Sequence, residues 1–199
     1  MTTRTFPSIK PNTMSWELIA TSQQFVALSG AIQTAQRPGQ RWTVQLEYAA
    51  LVAADRAVLQ AFVVQVLGQA DNFTLSPADH SPRGAFGGTP RVNGTGQTGN
   101  SLSVDGCSAS VANWVRAGDF FQVGNELKMA TEDASSNSAG QITLSFVPEL
   151  RAAPADETVL IMGPSATGVF RFTQPRMGWS SRPPFISSMT LECVEDITA

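Results

Sequence analysis

The chain has 199 residues, enough for one large domain or two small ones, and 42% of them are hydrophobic against 15% charged. Thirteen Lys and Arg face sixteen Asp and Glu for a net charge of −3; the cations are scattered singly, so the basic tract that displaces counterions from phosphates is missing and direct nucleic-acid recognition is not expected. No run approaches the roughly 20 apolar residues of a membrane span, and the N-terminal MTTRTFPSIKPNTMSW has no apolar core of signal type. The expectation is a protein made in a cytoplasm, without membrane insertion. A surface this poor in charge suits a subunit covered by neighbours, because interface cores are depleted in charged residues.

In chain order, SWELIA (15–20) and QQFVALSGAIQTAQ (23–36) read as strands, with Gly30 a bulge or bend and RPGQ (37–40) a turn. From Arg41 to Tyr48, Trp42, Val44, Leu46 and Tyr48 alternate with polar residues, the pattern of a half-buried antiparallel strand. The rhythm then changes. Leu59, Phe62, Val63, Val66 and Leu67 fall at i, i+3, i+4, i+7 and i+8, which predicts a helix over about 53–68 with one buried face. Asp55 suits its positive end and Gly68 a left-handed cap. NFTL (72–75) reads as a strand.

Residues 76–101 are dense in Gly, Pro, Ser, Thr and Asn and read as a linker or long loops. Short candidate strands follow: SLSVDG, ASVANWV, DFFQVG, ELKMAT, QITLSFV and TVLIMG, spaced as in a small all-β unit. GVFRF (168–172) and a closing FISSMTLECVEDI, with Met189, Leu191 and Cys193 alternating against Thr190 and Glu192, complete the set. The last strand needs a sheet to join, and the first segment offers one. The expected fold is mainly β, with one packed α-helix plus an inserted small all-β unit. The domain that holds the helix is discontinuous, over 1–80 and 168–199, with 81–167 inserted at an exposed loop.

Little in the chain points to chemistry. GTGQTG (94–99) matches a dinucleotide-binding pattern but lacks the strand before it and the helix after it that would hold a pyrophosphate, and it reads as a β-loop. His80 is the only histidine; Asp79 and Ser81 beside it are loop neighbours, and the partners of a triad converge through the fold. Cys107 and Cys193 are far apart and have no ligand-spaced partners, so both read as packed thiols, and neither a metal nor a cofactor is expected. Asp119, Glu126, Glu132 and Asp133 read as solvated turn carboxylates. Of four tryptophans, Trp42 belongs to the buried strand face. Trp179, in the loop MGWSSRPP with Arg176 and Arg182, is the candidate partner contact, since aromatic and Arg residues dominate interface hot spots. A sugar-binding alternative would use Trp114 or Trp179 as platforms.

The stretch 15–75, with its LxxADRxxLxAF helix followed by GQxxxF, then a glycine-rich insert and the closing GWSSRPPFISSMTLECVE, resembles the distal tail (Dit-like) proteins of long-tailed bacteriophages. Residues 117–150 look like a β-module common in phage tail-tip proteins. The resemblance implies that the discontinuous domain is a ring-forming β-sandwich with one packed α-helix, and that the protein is a structural virion protein with no enzymatic role. Its self-association would give a ring, commonly hexameric, at the virion tail tip, assembled in the host cytoplasm. The ring would join the tail tube protein to the tail hub protein and to tape measure and receptor-binding proteins. Tail tube, tail terminator and other tail-tip subunits share related folds and remain alternatives on the same residues.

Overall fold

The computed structural model describes residues 2–175, 178–182 and 186–198. It is mainly β with one α-helix, as the sequence patterning requires. In chain order the strands are β1 (Thr3–Thr5), β2 (Thr13–Ile19), β3 (Ser22–Val26), β4 (Ile32–Gln36) and β5 (Arg41–Leu51); helix α1 (Ala53–Val66) follows, then β6 (Asn72–Leu75). Next come β7 (Gly88–Val92), β8 (Gly99–Cys107), β9 (Phe120–Val123), β10 (Glu126–Ala130), β11 (Ile142–Leu150) and β12 (Leu160–Met162). A 3-10 turn (Gly163–Ser165) leads to β13 (Gly168–Phe172), β14 (Ser180–Arg182) and β15 (Ile186–Glu195).

A seven-stranded sheet runs β1-β6-β13-β15-β5-β2, with β14 also paired to β15. The chain leaves this sheet after β6 and re-enters at β13, which is antiparallel to both β6 and β15. Between lies a six-stranded sheet, β12-β9-β10-β11-β8-β7. Its first and last strands meet: Arg91 bridges Val159, Val92 N–H donates to Thr158 O (2.9 Å), and Glu157 N–H donates to Val92 O (3.0 Å). The sheet therefore closes into a barrel, which removes its free edges. Trp114, Phe121, Leu102, Val104, Leu144 and Phe146 fill it.

Alternation gives the seven-stranded sheet one apolar face. In β5 it is Trp42, Val44, Leu46 and Tyr48; in β15, Met189, Leu191 and Cys193; in β13, Phe170 and Phe172; in β6, Phe73 and Leu75. Two elements cover that face. Helix α1 lays Leu59, Phe62, Val63 and Val66 on one end, where Phe62 meets the rings of Phe6 (5.0 Å) and Phe73 (5.5 Å). The β9–β10 hairpin of the barrel covers the other end. Phe121 and Val123 point into the barrel, while Phe120 and Leu127 belong to the core of the seven-stranded sheet. Phe120 lies 5.4 Å from Trp16 and 5.7 Å from Trp42, and the Trp42 indole donates to Leu127 O (3.0 Å). Each fully buried large side chain here contributes roughly 1.5–3 kcal/mol of transfer free energy.

Four local expectations are corrected. Residues 76–101 are not a linker throughout: they contain β7 and the start of β8. Gly88 there serves a bulge with Gly106 of β8, because a Cβ on Gly88 would collide with Gly106 O and one on Gly106 with Thr89 O. ASVANWV is not a strand. Ser110 (φ 57°) and Asn113 (φ 50°) turn the backbone left-handed, and the N–H groups of Val111 and Asn113 donate to the hydroxyls of Ser136 and Ser135 instead of to a ladder. QQFVALSGAIQTAQ is two strands, β3 and β4, with Gly30 (φ 81°) in the turn between them. The helix ends at Val66, one residue short of its last apolar position: Leu67 takes a left-handed angle and is exposed, and Gly68 after it is left-handed as expected.

Candidate functional site

The titratable side chains of the middle of the chain hold the fold together. Asp119, expected on the surface, is fully buried. Its carboxylate accepts the backbone N–H groups of Arg83 (2.7 Å), Gly84 (2.8 Å) and Arg116 (2.9 Å), knitting the approach to β7 onto the approach to β9. An unpartnered carboxylate at that depth would be costly, and three donors satisfy it. His80 lies beside it, Nε2 3.4 Å from Asp119 Oδ1, with its ring edge-on to Phe120 at 5.3 Å. His80 Nε2 makes no hydrogen bond to the carboxylate, and it has no other hydrogen-bond partner among the described residues. Glu126 is also not free: it pairs with Lys128 Nζ (2.5 Å), whose ammonium is buried and also donates to Glu149 O (2.7 Å). Burial pushes the Lys128 pKa down, and the Glu126 carboxylate opposes that shift. Glu132 and Asp133 are exposed, as expected.

Both cysteines are free thiols and buried, as the sequence reading has them. Burial, with Asp105 adding to it, pushes Cys107 up to about 11; burial, then Glu192, pushes Cys193 up further. A thiol held neutral is a poor nucleophile. Neither is expected to react with iodoacetamide at pH 8 in the folded protein, and both are expected to react once urea unfolds it. Fast labelling of the native protein would contradict this packing. Because the folded-state value is raised, the Cys107 contribution to stability is present below the ordinary thiol value of about 8.5 and is lost as pH rises through about 11. Among the described residues no group of three or more His, Cys, Asp or Glu is placed to hold a metal ion, and no helix is long and apolar enough to cross a membrane.

The tryptophans divide. Trp114 is completely buried in the barrel, its indole donating to Gly87 O (3.0 Å), so it cannot serve as a sugar platform. Trp179 is 45% exposed, just before β14. Arg176 lies outside the described residues; Arg182 has its backbone in β14, paired with Ile186, and its side chain lies outside the described set.

The most exposed apolar surface is one that hydrophobic periodicity did not single out. Strands β2 and β5 pair from Thr13↔Glu47 to Ile19↔Arg41, and the same two chain segments go on as β3 and β4, paired from Ser22↔Gln36 to Val26↔Ile32. The distal half belongs to no other sheet. Its root is tied by Arg37 N–H to Thr21 O (2.8 Å), and its tip by Ala27 N–H to Ala31 O (2.9 Å). Every residue from 22 to 35 is exposed, including Phe25, Val26, Leu28 and Ile32 at the tip. The signal was present in the sequence: Ser29-Gly30 is a turn dipeptide, and the flanking Gln23, Gln24, Gln33 and Thr34 leave the ribbon without an apolar face to bury. Beside this hairpin, β2 is an outer strand of the seven-stranded sheet, with a row of unpaired backbone groups along it. No protein-family model and no curated protein matches the chain.

Proposed function

We propose that this protein is a structural subunit of a bacteriophage tail tip, assembling into a ring, commonly of six copies, that joins the tail tube to the hub and receptor-binding components. The observation that carries the reading is the projecting β3–β4 hairpin. A lone two-stranded ribbon is at best marginally stable in water, and this one ends in four exposed large apolar side chains. Such a feature is suited to burial against another chain. The outer strand β2 offers a second means of joining subunits, and the low charge of the chain leaves its surfaces free to be covered. A ring requires this kind of asymmetric contact, repeated around an axis until it closes. Trp179, with the loop that carries it, is the candidate contact for a component at the ring's rim.

Negative-stain microscopy of the purified protein at high concentration tests the reading. Closed rings of uniform diameter are expected, and uniformly monomeric particles would sink it.

A further inference from the structure

We propose that the hairpin tip of one copy is held in an apolar cavity on the next copy, between the segment 6–11 and the β2–β5 ladder. The cavity holds about 350 Å³ and is lined by Phe6, Ile9, Pro11, Met14, Tyr48 and Leu75 among others. Its outer wall is fixed in place: the Tyr48 hydroxyl donates to Ile9 O (3.2 Å), and Asn12 N–H donates to Glu47 O (2.8 Å). That volume lies at the lower end of the roughly 300–1,000 Å³ range of ligand pockets, a size for a few apolar side chains.

The occupant follows from three observations. First, the tip is apolar and uncovered: Phe25, Val26 and Ile32 are 50–69% exposed and Leu28 fully so. Second, residues 22–36 carry no charged side chain, so the tip brings no charge to be desolvated, and Lys10, the charged residue of the cavity lining, is exposed to water. Third, knob and cavity sit at opposite ends of one ladder. Met14, Leu46 and Tyr48 line the cavity, whereas the hairpin leaves at the Ile19↔Arg41 end. Five residues separate Met14 from Ile19, about 17 Å at roughly 3.4 Å per residue, and β3 then carries the tip onward. A chain therefore does not fill its own cavity, and a second copy does. A knob and a socket on different parts of one surface make a head-to-tail contact, which closes into a ring when the rotation between copies permits. This contact deepens the ring reading and rests on it for the closure.

The test uses the full chain with one cysteine at the knob and one at the rim, Leu28→Cys together with Ser8→Cys, oxidised by copper-phenanthroline in air. The native thiols are buried and stay out of the reaction. A ladder of disulfide-linked multimers up to the full ring is expected on a non-reducing gel, and single chains or at most dimers from either single-cysteine variant. Separately, Leu28→Asp is expected to keep the parent circular-dichroism spectrum, since Leu28 is fully exposed in its own chain, while its mass by light scattering falls to that of a monomer and its melting temperature drops only by what association contributed. Rings that form without a ladder, or that survive Leu28→Asp, overturn the contact and leave the ring reading standing. A parent protein that stays monomeric overturns both.

Discussion

Replacing Phe62 with alanine is expected to lower stability by about 3–5 kcal/mol, the usual range for truncating a buried aromatic. The melting temperature would fall by about 6–20 °C at the roughly 2–4 °C per kcal/mol typical of a chain this long. Phe62 is the centre of the contact between α1 and the seven-stranded sheet. Its ring touches Phe6, Phe73 and Phe172 edge-on at centroid distances of 5.0, 5.5 and 6.4 Å. Phe73 and Phe172 in turn lie 4.8 Å apart on strands of the sheet, so the cavity left behind would be lined by rigid rings with little room to collapse. The control is Val64→Ala on the opposite side of the helix. Val64 is exposed, and a change there is expected within about 0.5 kcal/mol. Thermal unfolding followed by circular dichroism reads both. An unchanged melting point for Phe62→Ala would show that α1 is not what closes this end of the core.

The helix and the strand before it were legible because their patterns are decided by burial alone. Trp42, Val44, Leu46 and Tyr48 all point to one covered face, and Leu59, Phe62, Val63 and Val66 meet it. Both rhythms need only the local chain. What was not legible depends on partners distant in sequence. β7 contains Gly88 and Pro90 and has no strand signature; it forms because β8 and the segment before β12 supply its ladder. β1 is three residues long and exists because Thr3, Arg4 and Thr5 line up with Asn72, Phe73 and Thr74. ASVANWV failed for the converse reason: its β-type composition was overridden by serine hydroxyls 22–25 residues away that satisfy its backbone in a turn.

The candidate site divides in the same way. Trp179 was visible as an aromatic in a loop. The hairpin tip was not, because a search for amphipathic periodicity passes over a segment whose apolar residues, Phe25, Val26, Leu28 and Ile32, cluster at a turn rather than along a face. A hydrophobic turn between two polar strands is an assembly signal in its own right, since an ordinary surface turn is built from polar residues and glycine. Asp119 shows the opposite error. A carboxylate beside a β-turn looks solvated in sequence, and only the fold brings three N–H donors to it and removes the water.

The junction between the barrel and the seven-stranded sheet carries the other large expected effect. Arg151, just past β11, reaches Glu195 at the end of β15 (2.6 Å), and the same Glu195 oxygen accepts the backbone N–H of Trp42 (3.1 Å). Glu195 is fully buried and Arg151 mostly so. Arg151→Ala would leave an uncompensated charge inside the protein, and a loss of about 3–5 kcal/mol is expected. The pair is not thereby worth that much, because most of the loss is the penalty of stranding Glu195. The double variant Arg151→Met with Glu195→Gln separates the two. Glutamine keeps an acceptor for Trp42 N–H, whose orphaning would cost about 1–3 kcal/mol, while methionine keeps much of the arginine's apolar bulk. The double variant is therefore expected to recover most of the stability that the single one loses. Urea unfolding monitored by tryptophan fluorescence distinguishes these outcomes, with Trp42 reporting on the sheet side and Trp114 on the barrel. If the junction charge couples the two sheets, Arg151→Ala also splits the unfolding curve into two steps while the double variant restores one. A single sharp transition and a loss below about 1 kcal/mol for Arg151→Ala, the range of an exposed ion pair, would mean that Glu195 reaches water and that the apolar contacts of Phe120 and Leu127 alone hold the barrel in place.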